Sequence, residues 1–128
     1  MNTLIVCLFI AILFPYLLKI VVGYFMKNEG VYDNHHPRIQ QARLMGMGAR
    51  AVAAHQNSFE SLLVFTPAAL TALVTNNVGI TVQVLAIIYI ISRLIYTIFY
   101  LKDYALLRSL TWFVGFICCL AILLACIR

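Results

Sequence analysis

The sequence predicts an all-α protein, an integral membrane four-helix bundle. Three observations carry this. Four apolar runs are each long enough to cross a bilayer, since a helix needs about 20 apolar residues to span the hydrocarbon core. The chain is 64% hydrophobic with a mean hydropathy of +0.99. Only 10% of its residues are charged, against roughly a quarter in a soluble domain. At 128 residues the length fits one domain, spanning 1–128. The net charge of +5 does not indicate nucleic acid, because the basic residues flank hydrophobic spans and such flanks set membrane orientation.

The first helix is expected over about 3–26. Met1-Asn2-Thr3 carries no Lys or Arg and no small-x-small cleavage pattern follows the apolar run, so the segment reads as a retained helix rather than a signal peptide. Pro15 is a candidate kink. Lys19 sits two turns before Lys27, so its stem can snorkel to the same interface. Residues 27–37, KNEGVYDNHHP, are polar with Gly30 and Pro37 and read as a loop. The second helix is expected over about 37–75, too long for one bilayer, so Arg38 and Arg43 should project beyond it. TNNVG at 75–79 is an uncharged turn, the third helix spans about 80–101, Lys102-Asp103 mark the next turn, and the fourth helix spans about 105–127.

Four crossings place both termini on one side. Lys27, Arg38, Arg43, Lys102 and Arg108 gather at one end, with Arg128 and the amino terminus at the other. By the positive-inside rule the basic end is cytoplasmic. In a bacterial inner membrane the termini would be periplasmic, and in an endomembrane lumenal.

Two polar stripes interrupt the apolar spans. In the second helix Arg43, Arg50, Asn57 and Val64 are seven apart, and Gly46, Ala53, Glu60 and Pro67 follow each by three. Those spacings share a helix face. Gly46, Gly48, Ala49, Ala51, Ala53 and Ala54 lie around it, and small residues let helices approach closely in lipid. In the third helix Tyr89, Arg93, Tyr96, Tyr100 and Tyr104 again form one face. A charge at the bilayer centre costs at least ~2.5 kcal/mol, so Arg50, Glu60 and Arg93 should face the bundle interior or a wet cavity, with partners. Arg93 is a natural partner for Glu60. A buried ion pair that only holds the bundle together explains the second-helix stripe alone equally well. Both stripes together read as a cationic, phenol-lined cleft holding one carboxylate, with Arg108 at its edge. Its surplus of arginines suits an anionic ligand, because guanidinium forks bind carboxylates bidentately. Asn57 and Glu60 suit an ammonium group on the same ligand, so a zwitterionic peptide with extra carboxylates matches the inventory.

These residues also resemble a known family. The run Arg50-Ala51 … Ala54-His55-Gln56-Asn57-Ser58-Phe59-Glu60 with Pro67 beyond it, and Arg93-Leu94-Ile95-Tyr96 … Tyr100-Leu101 … Leu107-Arg108-Ser109-Leu110 … Trp112 … Gly115, resemble the membrane-associated proteins in eicosanoid and glutathione metabolism, the MAPEG family, over residues 38 to 115. The resemblance implies a four-helix protomer, a homotrimer, and glutathione as co-substrate bound between protomers at the cytosolic side. It implies contacts from Asn57 and Glu60 to the γ-glutamyl end, with Tyr96, Tyr100, Arg93 and Arg50 lining the site. It assigns Arg108 the stabilisation of the thiolate. The chain departs from the pattern in three places: Ala53 stands four before Asn57 where many members have Arg, with Arg50 seven before it; Ser61 follows Glu60 where some have Tyr; and the spacing from Tyr100 to Arg108 differs by one from that of some members.

The expected activity is that of a glutathione transferase or peroxidase acting on lipophilic small molecules that partition from the bilayer. The alternatives are a non-catalytic lipid- or glutathione-binding scaffold of the same fold, and a small multidrug transporter. Arg50 and Arg93 speak against the transporter, whose cationic substrate needs a negative cavity. No metal is expected. Cys7, Cys118, Cys119 and Cys126 lie in apolar runs with no zinc spacing, and His35-His36 sit in a loop with only Asp33 near.

Overall fold

The computed structural model describes residues 1–127; Arg128, counted above at the far end, lies outside the described residues. Among the described residues five helices follow one another: α1 Asn2–Asn28, α2 Pro37–Ala42, α3 Gly46–Val74, α4 Ile80–Leu101 and α5 Ala105–Ala125. Among the described residues α1, α3, α4 and α5 are long and apolar enough to cross a membrane. Their outer faces are apolar too: Ile20 is 70% exposed and Leu63 76%. That many large aliphatic side chains facing outward are favourable only with lipid as solvent, so the protein is a multi-pass integral membrane protein.

The expected second helix is two helices. α2 ends at Ala42, and α3 begins at Gly46 with φ +56°. A residue in that left-handed conformation cannot continue a right-handed helix, and glycine adopts it without steric penalty. Leu44, inside the break, is buried with Val22, Met26 and Ala51. Pro15 and Pro67, by contrast, both lie within continuous helices. His55 Nδ1 donates to the Pro15 carbonyl oxygen at 2.8 Å, tying α3 to α1 at that point.

α3 packs against α1, α4 and α5. Ala51, Ala54, Ala68, Ala69 and Ala72 are fully buried on it. Without a hydrophobic driving force in lipid, this close backbone approach and the dispersion contacts it permits hold the helices together. The main core lies towards the far end, where Leu4, Leu8 and Ala11 of α1 meet Phe65 and Ala69 of α3, Val82 and Ala86 of α4, and Ile122 of α5.

The turns after α3 and α4 close by the same device. Asn76 (φ 54°) and Asp103 (φ 63°) are left-handed. After α3 the Asn77 N–H donates to the Ala72 carbonyl and the Asn76 N–H to Leu73; after α4 the Tyr104 N–H donates to Phe99 and the Asp103 N–H to Tyr100. These are Schellman closures, which satisfy the last carbonyls of a helix. The Asn77 side chain also donates to the Ala125 carbonyl, and Thr3 Oγ1 donates to Gln83 Oε1 at 2.9 Å, which pins the far end.

At the basic end, Gln40 organises the loop between α1 and α2. Its Nε2 donates to the Met26 and Val31 carbonyls and its Oε1 accepts from the Asp33 N–H. Asp33 Oδ1 accepts from the backbone N–H groups of His35 and His36 at 2.9 and 3.0 Å, and Oδ2 lies 3.6 Å from His36 Nδ1. These bonds, the one from the His36 backbone first, hold the Asp33 carboxyl below its ordinary value. A depressed carboxylate contributes stability at neutral pH that is lost as pH falls through its folded value. The protection factors of the His35 and His36 amides, which divide out the intrinsic pH dependence of exchange, are therefore expected to fall on acidification below the ordinary carboxylate range of about 4, and Asp33→Asn is expected to abolish that fall.

Candidate functional site

The polar residues of α3 and α4 meet in a cavity of about 340 Å³ floored by α4 and walled by α3 and α5. α3 contributes Asn57, Glu60 and Ser61; α4 contributes Tyr89 and Arg93; α5 contributes Trp112, Gly115, Phe116 and Cys119. Arg93 lies eight residues before the end of α4, about 12 Å along the axis from the basic end.

Arg93 is the centre of this site. It is 5% exposed. Its Nη2 donates to Asn57 Oδ1 at 2.7 Å, and Asn57 Nδ2 donates to Glu60 Oε2 at 3.0 Å. Asn57 thus relays between acid and base, using both ends of its amide. The direct Glu60–Arg93 pairing expected from the sequence is not made; among the described residues the one acid–base contact is Asp33–His36. The reason is reach. An Asn one turn before Glu60 on the same helix face stands between the carboxylate and α4. The guanidinium also packs over the Tyr96 ring at 4.2 Å. Its Nε is buried and has no hydrogen-bond partner. A buried unsatisfied donor costs about 1–3 kcal/mol, more when charged, so the site holds a cationic donor that wants an acceptor.

Tyr89 is 3% exposed and stacks on Phe65, with centroids 4.0 Å apart and 9° between the rings. Its hydroxyl shares a 2.7 Å hydrogen bond with Ser61 Oγ at the cavity wall. Neither residue stands among the site residues expected from the sequence. Tyr89 is visible there in the tyrosine stripe, and Ser61 as the residue after Glu60.

Arg108 lies in a second, shallower depression of about 150 Å³, with Tyr96, Ser109, Trp112 and Phe113. Its guanidinium packs over Tyr100 at 4.4 Å, and Tyr100 meets Tyr96 edge-on at 5.6 Å. Trp112 borders both depressions, so the single cleft expected from the sequence is two adjoining ones sharing an indole wall. Arg50 lines neither. Its Nε donates to the Leu101 carbonyl at 3.2 Å, where a cation meets the C-terminal end of the α4 dipole. Of the residues expected to bind glutathione, Asn57, Glu60 and Arg93 are therefore together, Tyr96 and Tyr100 adjoin them, and Arg50 occupies a helix end.

Gly115 sets the distance between α4 and α5. A Cβ there would stand 2.7 Å from Ser92 Oγ, and that hydroxyl is committed to the Tyr89 carbonyl at 2.7 Å. Gly115→Ala is expected to destabilise the protein by about 1–3 kcal/mol through overpacking, partly offset by the higher helix propensity of alanine. Adding Ser92→Ala should restore most of the loss. Thermal unfolding of the single and double variants checks this.

A family model described as MAPEG family matches residues 3–128. No curated protein matches the chain significantly, and no solved structure does. The matched region takes in all four membrane-crossing helices and both arginine-bearing depressions, and by it the chain belongs to the MAPEG family.

Proposed function

We propose that the protein binds glutathione in the Arg93 cavity and presents it as a thiolate to lipophilic electrophiles, as a membrane-bound glutathione transferase or peroxidase. The observation that carries this reading is the buried guanidinium with an unpartnered Nε beside a carboxylate held by Asn57. A carboxylate of glutathione supplies the acceptor that Arg93 lacks. Glu60, with Asn57, takes the γ-glutamyl ammonium. Tyr96 and Tyr100 border the peptide, and Arg50 acts indirectly, by holding the end of α4.

The thiol then lies towards Arg108. A thiol of pKa about 8.5 is mostly protonated at neutral pH, and a fixed cation in a low-dielectric cleft favours the thiolate. Its proton leaves to water. The sulfur forms a bond to the electrophilic carbon, and the leaving group departs with the electron pair it held; on an activated alkene, water protonates the resulting carbanion.

The basic end, with Lys27, Arg38, Arg43, Lys102 and Arg108, faces the cytoplasm on this reading. The functional unit is a homotrimer, a reading that rests on family membership. Calorimetric titration of the purified protein with glutathione, followed by turnover with a panel of electrophiles and peroxides, tests the proposal. Binding with turnover supports it. Binding without turnover leaves a non-catalytic glutathione-binding scaffold. No binding removes both.

A further inference from the structure

We propose that the basic end of α1, together with Arg38 of α2, binds one anionic phospholipid of the leaflet at that end, with the lipid phosphate held between Lys19, Lys27 and Arg38. The proposal stands apart from the glutathione reading, because it concerns the outer face of α1 and not the cavity between α3, α4 and α5.

Lys19, Gly23 and Lys27 are four apart on α1, which puts them on one helix face. Ile20 and Tyr24, each one position further on than Lys19 and Gly23, are exposed beside that face. Gly23 leaves a notch in it: a Cβ there would meet nothing within 4 Å. Gln40 holds α2 against this end of α1, its Nε2 donating to the Met26 carbonyl at 3.4 Å. Arg38 stands two residues before Gln40, is exposed, and is close enough to Lys19 for the two charges to repel. Among the described residues no acid comes within ion-pair distance of Lys19, Lys27 or Arg38, since the one acid–base contact is Asp33–His36.

Lys19 lies nine residues before the end of α1, about 14 Å along the axis. A lysine at that depth keeps its ammonium among water and headgroups by running its stem towards the interface. The way up passes Gly23, where no side chain obstructs it, and leads towards Arg38. Two cations brought together at the edge of the hydrocarbon, with no protein carboxylate between them, repel each other unless they share an anion. The anion most concentrated at that depth is the phosphate of a lipid; a soluble anion has to give up water to reach it. The notch admits the headgroup, Ile20 lies along the acyl chains, and the Tyr24 phenol is a donor for the ester oxygens. A zwitterionic headgroup brings its own ammonium to the same place, so net negative charge sets the selectivity. Each basic residue beside the membrane contributes about a fivefold preference for an anionic leaflet.

The probe is dioleoyl phosphatidylglycerol, titrated into the delipidated full-length protein in detergent at constant ionic strength and followed by native mass spectrometry. Dioleoyl phosphatidylcholine and inorganic phosphate are the comparisons. One phosphatidylglycerol per chain should bind saturably. Lys19→Gln and Arg38→Gln should each raise its half-saturating concentration about fivefold. Gly23→Leu keeps every charge and favours the helix, and should weaken binding at least as much by filling the notch. Lys102→Gln, which removes an exposed cation from the turn after α4 at the same end, should leave it unchanged. Equal binding of phosphatidylcholine, an equal loss in Lys102→Gln, or full affinity in Gly23→Leu overturns the proposal. So does a site that inorganic phosphate fills in place of the lipid. If Lys19→Gln or Arg38→Gln instead releases protomers from an oligomer, or lowers glutathione affinity by calorimetry, with lipid binding unchanged, the cations serve a contact between copies, which also overturns it.

Discussion

Arg93→Leu is expected to weaken glutathione binding about a hundredfold while leaving the ligand-free protein nearly as stable as the wild type. The two halves of this result come from one feature. In the ligand-free site the guanidinium is 5% exposed, with one Nη bonded and Nε unpartnered. Replacing the guanidinium by leucine removes the desolvation cost of a buried charge that lacks a charged partner in hydrogen-bond contact. The offsetting loss is Asn57 Oδ1, which is left without its donor at about 1–3 kcal/mol. The bound state has no such compensation. A ligand carboxylate would then be desolvated against leucine, and truncating one partner of a buried charge pair costs about 2–5 kcal/mol. Calorimetry gives the affinity and thermal unfolding the stability. An Arg93 that serves only as structural glue would show the opposite pattern, with stability lost and glutathione affinity unchanged.

Arg108→Ala is expected to lower kcat about a hundredfold or more with only a small change in glutathione affinity. Removing one preorganised electrostatic donor typically costs 10²–10³ in kcat. The structural cost is small, because the guanidinium contacts the face of a half-buried Tyr100 at 4.4 Å and a cation–π pair contributes about 0.5–2 kcal/mol. The sign of the pH effect follows from charge. A cation beside the thiol lowers its pKa below about 8.5, so wild-type activity should reach its plateau at a lower pH than that of the variant. In Arg108→Ala the rising limb moves towards alkaline pH, and the ultraviolet absorbance of bound thiolate at neutral pH falls with it. An unshifted profile with lowered kcat would assign Arg108 to positioning rather than to thiolate stabilisation. Arg108→Lys should recover part of the pH shift, since charge is kept while the fork is lost.

The residues that carry the site were legible as periodicities before any contact was known. Asn57 and Glu60 are three apart, and Arg93, Tyr96 and Tyr100 follow at three and four. A helix turns those spacings into faces; Arg93 and Tyr96 are buried, whereas Glu60 lines the cavity but stays exposed. Which partner each charge finds is not set by those spacings. Arg50 lies on the same stripe as Asn57, yet its Nε meets the Leu101 carbonyl, because the end of α4 comes within reach at that height. Glu60 and Arg93 have opposite charges, yet Asn57 bridges them. Spacing along one helix says nothing of its rotation against the next.

The four spans and the grouping of polar residues on one face of α3 and one of α4 were determined by the sequence alone, because both depend only on the order of residues along each helix. The break at Gly46, the Trp112 wall between two depressions, the Tyr89–Ser61 pair and the unpartnered Nε of Arg93 were decided by the tertiary structure. Each depends on the distance between helices, and that distance is set by small residues such as Gly115 and the buried alanines of α3, whose effect appears only when two backbones meet.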